Sequence, residues 1–192
     1  SEISAKDVFE KNALSVVEIK AVTEEVGESY GTGEFVKDDG TIVTNAHVVT
    51  YSQLGEATTF ENYFIRFMDS DDYIKVSLVK YDANLDLAIL KYNSKEHNFK
   101  AVEIGNSDNV KSGNKVFAIG NAMNYGLAVS SGIVSIPLIN LTYDGVTRNV
   151  IQCDLTIAEG NSGGALFDDK GKLIGITTFR TKDNSGKAHF FQ

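Results

Sequence analysis

The 192-residue chain is 42% hydrophobic and carries a net charge of −8. That is enough apolar material for a buried core, and an acidic balance that repels phosphate backbones. No basic patch with interleaved aromatics, no apolar run near the ~20 residues of a membrane span and no metal-ligand spacing among the three histidines and Cys153 occurs, so a nucleic-acid partner, a transmembrane helix, a zinc site and an internal disulfide are not expected.

Residues 4–14 read as a short helix. Ser4 and Asp7 form a variant of a capping box, and Val8, Phe9 and Leu14 fall near one face. The segment lacks the basic start and apolar stretch of a signal peptide. Short β-type runs follow over 15–21, 33–37, 41–46, 63–68, 73–81 and 87–92. A second set covers 115–121, 127–136, 147–154, 164–167, 172–179 and 187–191. Turn signals such as KDDG, DNVKSGN and DDKG separate them. Twelve short strands at this spacing predict an all-β barrel or sandwich. The polar stretch 93–113 is the expected seam, giving sub-domains over 15–100 and 112–192 of one domain, 1–192.

The stretch EGNSGGAL, 159–166, sets one serine among three glycines. Alone it reads equally as a surface turn or as a nucleophile loop needing bare N–H groups beside Ser162. Serine catalysis requires a neutral imidazole to take the hydroxyl proton, a carboxylate to hold that imidazole, and backbone donors for the oxyanion. His47, in TNAHVV at the end of a strand, and Asp86, in NLDLAIL, supply candidates for the first two. Asp82 is the rival carboxylate. A histidine after an apolar strand also reads as structural, and Asp86 as the end of a loop, but the order His, Asp, Ser is that of the chymotrypsin-type triad.

TNAHVV, DLAIL and GNSGGAL together resemble the three signature segments of the trypsin-like serine proteases, in the bacterial HtrA (Deg) branch. GTGEFVKDDGTIVTNAHVV and GLAVSSGIVS extend the resemblance over roughly residues 8–192. It implies two perpendicular six-stranded antiparallel β-barrels with a serine endopeptidase site between them. Ser162 would be the nucleophile, His47 the base and then the acid, Asp86 the orienting carboxylate, and the N–H groups of Gly160 and Ser162 the oxyanion hole. It further implies polypeptide substrates, no cofactor or metal, an extracytoplasmic location and homo-oligomers, trimers in many members. A catalytically silent binding module of the same fold and an esterase using the same triad are the alternatives.

Two departures from the family are visible. Ala122 stands where proline commonly follows GN, and no PDZ segment lies within the 192 residues. By analogy the pocket for the residue before the scissile bond is lined by Thr156, Ile157, Thr178 and His189, with Arg180 nearby. Thr156 and Ile157 put no carboxylate at its base, so small or medium apolar residues are expected over Arg or Lys. His189 or Arg180, pointing inward, would favour an acidic residue. Asn161 replaces the aspartate that, in digestive relatives, pairs with a newly cut N-terminus. The oxyanion loop is therefore expected to be set by loops 121–126 and 137–147 without such a cut. Cys153 reads as a buried strand residue.

Overall fold

The computed structural model describes residues 3–143, 145–157, 160–180 and 187–191. Helix α1 (Ala5–Asn12) begins at Ser4, whose hydroxyl accepts from the Asp7 N–H while the Asp7 carboxylate accepts from the Ser4 N–H. The expected capping box is therefore present, and Val8 is fully buried.

Strands β1 (Val16–Thr23), β2 (Gly27–Phe35) and β3 (Thr41–Thr44) come next. A one-turn helix, α2 (Ala46–Val49), and a two-stranded ribbon, β4 (Thr50–Gln53) and β5 (Glu56–Thr59), interrupt them. Then come β6 (Asn62–Phe67), β7 (Ile74–Asp82) and β8 (Leu87–Lys91). These close into a six-stranded barrel in the order β1-β2-β3-β8-β7-β6. The second half contributes β9 (Lys115–Asn121), β10 (Leu127–Tyr143), β11 (Val146–Asp154), β12 (Ala165–Phe167), β13 (Leu173–Arg180) and β14 (Lys187–Phe191). They close as β10-β11-β14-β13-β12-β9. All strand pairings within the two barrels are antiparallel, as expected for this fold.

Three places differ from the sequence reading, besides the helix α2 that replaces the end of the expected strand 41–46. Strand β2 starts earlier, because Gly27, Gly31 and Gly33 dilute its apolar pattern. The β4–β5 ribbon was not anticipated. It turns on Leu54 and Gly55, both at positive φ, and Leu-Gly is a far weaker hairpin signal than Asn-Gly. Strand β10 runs on to Tyr143 through Pro137. A register shift between Ile136 and Ile139 accommodates the residue that has no N–H to give.

Each barrel has its own filling. Phe35 and Phe67 lie in the first, with Tyr92 and Phe99 stacked or edge-on against Phe35. The second is filled by aliphatic side chains, among them Val116, Val134, Ile151 and Leu166, together with Cys153. A third cluster lies outside both barrels, where Val8 of α1 and Val16 of β1 meet Phe117 and Ile119 of β9 and Ala165 and Phe167 of β12.

Candidate active site

His47 is carried by α2 and not by the strand the sequence suggested. Strand β3 ends at Thr44, and Asn45 turns the chain into a single helical turn whose neighbours Val48 and Val49 are buried. Asp86 closes the turn between β7 and β8, at φ +55°, a left-handed conformation that is uncommon outside glycine. Its Oδ2 accepts from His47 Nδ1 at 2.7 Å, and its Oδ1 accepts from the His47 backbone N–H at 2.9 Å. A carboxylate only accepts, so Nδ1 carries a proton and, in the neutral imidazole, Nε2 keeps its lone pair. Among the described residues Nε2 makes no hydrogen bond, and half of the His47 side chain is exposed. Asp82, the rival, spends its Oδ1 on the N–H groups of Asn84 and Leu85 and shapes the turn itself. His97 also meets an aspartate, with Nε2 2.6 Å from Asp69 Oδ1, but its Nδ1 is 2.6 Å from the Asn98 carbonyl. Both its nitrogens are occupied, so it has none to offer a substrate.

Ser162 comes from the other barrel, in the loop before β12, and its backbone is pinned to the first. The Thr32 N–H donates to Ser162 O at 2.9 Å. Gly31 lies between this loop and α2. A Cβ built there would stand 2.6 Å from Val48 Cγ1 and 3.1 Å from Ser162 O. No hydrogen bond joins Ser162 Oγ to His47 among the described residues.

The glycines of this loop meet two different demands. Gly160 has φ +92°, and a Cβ on it would reach 2.8 Å from Asn121 O. Gly163 has φ +86° and is wedged against barrel 1, where a Cβ would lie 2.1 Å from both Thr32 O and Thr44 Oγ1. The N–H groups of Gly163 and Gly164 are used, on Thr177 O and Asn161 O, whereas those of Gly160 and Ser162 have no acceptor among the described residues. Two N–H groups, one of them the serine's own, are thus left without an acceptor among the described residues.

The sequence reading missed two residues that hold this geometry. Thr32 donates its hydroxyl to Gly160 O at 2.8 Å and accepts from the Asn121 N–H at 2.8 Å, fastening the loop to the segment at 121. Its setting in GTG was the available signal. Asn45 donates through Nδ2 to Asp86 O at 2.9 Å and to Thr178 Oγ1 at 3.3 Å. Thr178 is therefore buried behind the Asp86 turn. Thr156 is exposed and Ile157 half-buried against the aliphatic core. His189 and Arg180 are described in their backbone pairing alone, so the expectations about their side chains lie outside the described atoms. Cys153 is fully buried, and burial pushes its thiol up to about 12. Asn161, where digestive relatives keep an aspartate, is buried with no partner for Oδ1 among the described residues. No group of three or more metal-ligating side chains occurs among the described residues.

The model of the trypsin-like peptidase domain matches residues 31–176, a span that contains His47, Asp86 and Ser162. The chain belongs to the trypsin-like peptidase family. Its relatives are HtrA- and DegP-type serine proteases, as the sequence resemblance implied. It is 38% identical over 154 residues to a magnetosome formation protease, MamE, of Paramagnetospirillum magneticum, covering 79% of this chain and 20% of that protein. It is 34% identical over 194 residues to a probable periplasmic DegP-like serine endoprotease of Rickettsia prowazekii, covering 93% and 36%. The chain thus spans between a fifth and about a third of the length of these curated relatives. Among solved structures, the HtrA-type protease AlgW with a tripeptide superposes with a TM-score of 0.82 at 28% identity, over 98% of this peptidase and 60% of AlgW.

Proposed function

We propose that this peptidase domain is a serine endopeptidase that cleaves polypeptides through an acyl-enzyme. The observation that carries the reading is the double grip of Asp86 on His47, one oxygen on Nδ1 and the other on the backbone N–H. That grip fixes the tautomer in which Nε2 accepts a proton. In the proposed sequence Ser162 Oγ attacks the scissile carbonyl as His47 Nε2 takes its proton. The N–H groups of Gly160 and Ser162 stabilise the tetrahedral oxyanion, and His47 then protonates the leaving amine. Water repeats the sequence on the ester.

The DegP-like relatives named as periplasmic support an extracytoplasmic place of work. By analogy with the family, Thr156 and Ile157 would put no carboxylate at the pocket base, so small or medium apolar residues are the proposed preference before the scissile bond. Dominant cleavage after Arg or Lys in a peptide library would overturn that preference.

A fluorophosphonate probe followed by a peptide digest tests the reading against a silent binding module and an esterase. Labelling at Ser162, and casein-type hydrolysis abolished by Ser162→Ala, is the expected outcome. No labelling would mark a silent module. Labelling with ester but no peptide hydrolysis would mark an esterase.

A further inference from the structure

The turn that presents Asp86 lies outside the strand ladder and is held by side chains. The β7–β8 ladder ends at the Asp82–Leu87 pair, so residues 83–86 lie beyond it. Asp82 Oδ1 caps the turn from within, and Asn45 and His47 hold Asp86 on the cleft side. Asp86 itself sits at φ +55°, so it has a more relaxed backbone conformation to fall into if the turn loosens. That relaxation would carry its carboxylate off His47.

The outer side of the turn is held from the other barrel. Strands β10 and β11 continue past the second barrel as a hairpin in which Arg148 opposes Leu141. Arg148 Nε donates to Asn84 O at 2.7 Å, and Nη2 points to Ala83 O at 3.4 Å. One planar guanidinium thus spans two successive carbonyls, and a lysine ammonium, a compact charge without that planar fork, would match them less well. These contacts join positions 64 and 65 residues apart in the chain. From Arg148, β11 runs to Asp154, and Ser162 follows eight residues later, so one segment braces the carboxylate and delivers the nucleophile.

We propose that Arg148 is a positioning residue for the His47–Asp86 pair, acting through the turn 83–86 and never touching substrate. The proposal rests on the triad reading given above. It makes the β10–β11 hairpin a specific coupling between the halves: whatever moves the hairpin also loosens the carboxylate that orients the base.

The test is the rate of fluorophosphonate labelling of Ser162, with kcat and KM on a peptide substrate, for Arg148→Ala and Arg148→Lys, each in the wild-type and Asp86→Asn backgrounds. Arg148→Ala should lower kcat and the labelling rate on the order of tenfold, with KM nearly unchanged. Arg148→Lys should recover part of the loss. In the Asp86→Asn background Arg148→Ala should add little, because the carboxylate it positions is already gone. Full kcat in Arg148→Ala overturns the proposal. So does an equal loss in both backgrounds, which would mark a general structural support, and so does a loss carried by KM. Failure of the wild-type protein to label at Ser162 would instead sink the triad reading, and the role of Arg148 with it.

Discussion

The two barrels contribute to the cleft by opposite means. The first supplies side chains: His47 and Asp86 are joined by their own polar atoms, and Asn45 and Thr32 reach across to brace neighbours. The second supplies a backbone: Ser162 sits in a loop whose donors are bare N–H groups and whose Gly163 fits only because nothing projects from it. The interiors differ in the same sense, with interlocked aromatic rings on one side and small aliphatic side chains on the other. In the first half, then, function is damaged by removing atoms. In the second, apart from Ser162 itself and the brace at Arg148, it is damaged by adding them.

The largest effects test the triad. Ser162→Ala should lower peptide turnover by about 10⁶ without unfolding the protein. Asp86→Asn should cost about 10⁴, and Asp82→Asn little, because Asp82 only caps its own turn. The reverse ranking, read from kcat on one peptide, would reassign the carboxylate.

Adding one methyl group should be damaging in the nucleophile loop. Gly160→Ala removes no hydrogen-bonding atom, yet it forces a Cβ toward Asn121 O at φ +92°. A fall in kcat of about 10² is expected, similar to loss of an oxyanion donor. Gly163→Ala meets Thr32 O and Thr44 Oγ1 and should lower stability by roughly 3 kcal/mol. Alanine variants at near wild-type rate and stability would break the comparison.

The cores sharpen it next. Phe35→Ala should lower stability by about 4 kcal/mol, as an aromatic ring packed on three others is lost. Ile174→Val in the aliphatic barrel should cost about 1 kcal/mol. Chemical denaturation measures both, and equal losses would argue that the two interiors are equivalent.

Glu34 gives a smaller, pH-dependent effect. Its carboxyl is fully buried with neither oxygen partnered among the described residues, and burial raises its pKa well above the usual carboxylate range. The folded state therefore holds this proton more tightly than the unfolded chain does. Stability from this group is complete below the unfolded pKa and declines as pH rises toward the folded one, by at most about 1.4 kcal/mol per pH unit. Glu34→Gln should flatten that decline in denaturation curves taken across the pH range. An unchanged slope would show that Glu34 is not its source. Smallest of all, brief treatment with an alkylating reagent should leave activity intact, since the Cys153 thiol is fully buried and held up at about 12. Rapid labelling with inactivation would contradict that burial.

Much of this was legible in the sequence because it is written in local patterns. Short β-type runs between turn signals marked all twelve barrel strands, Ser4 and Asp7 the capped helix, and the three signature segments the family. What escaped depends on contacts between distant segments. The GTG setting of Thr32 marks the position but does not name the partner of its hydroxyl, Gly160, 128 positions on. Asn45 could not be told from any polar residue at a helix start until Asp86 and Thr178 lay beside it. His47 was expected at a strand end because TIVTNA alternates, but Asn45 and Ala46 turn the chain into a helix before the pattern shows a break.

The apolar cluster outside the barrels carries one more consequence. Val8 comes from the helix, Val16 from the first barrel, and Phe117, Ile119, Ala165 and Phe167 from the second, and all are buried together. If either barrel melted, the other would be left with this seam in water, so neither has an intact surface of its own. Heat should therefore take the molecule apart in a single cooperative step, with no populated half-folded species. A cleft assembled from both halves then has no partly armed form: it exists only in molecules that are folded throughout.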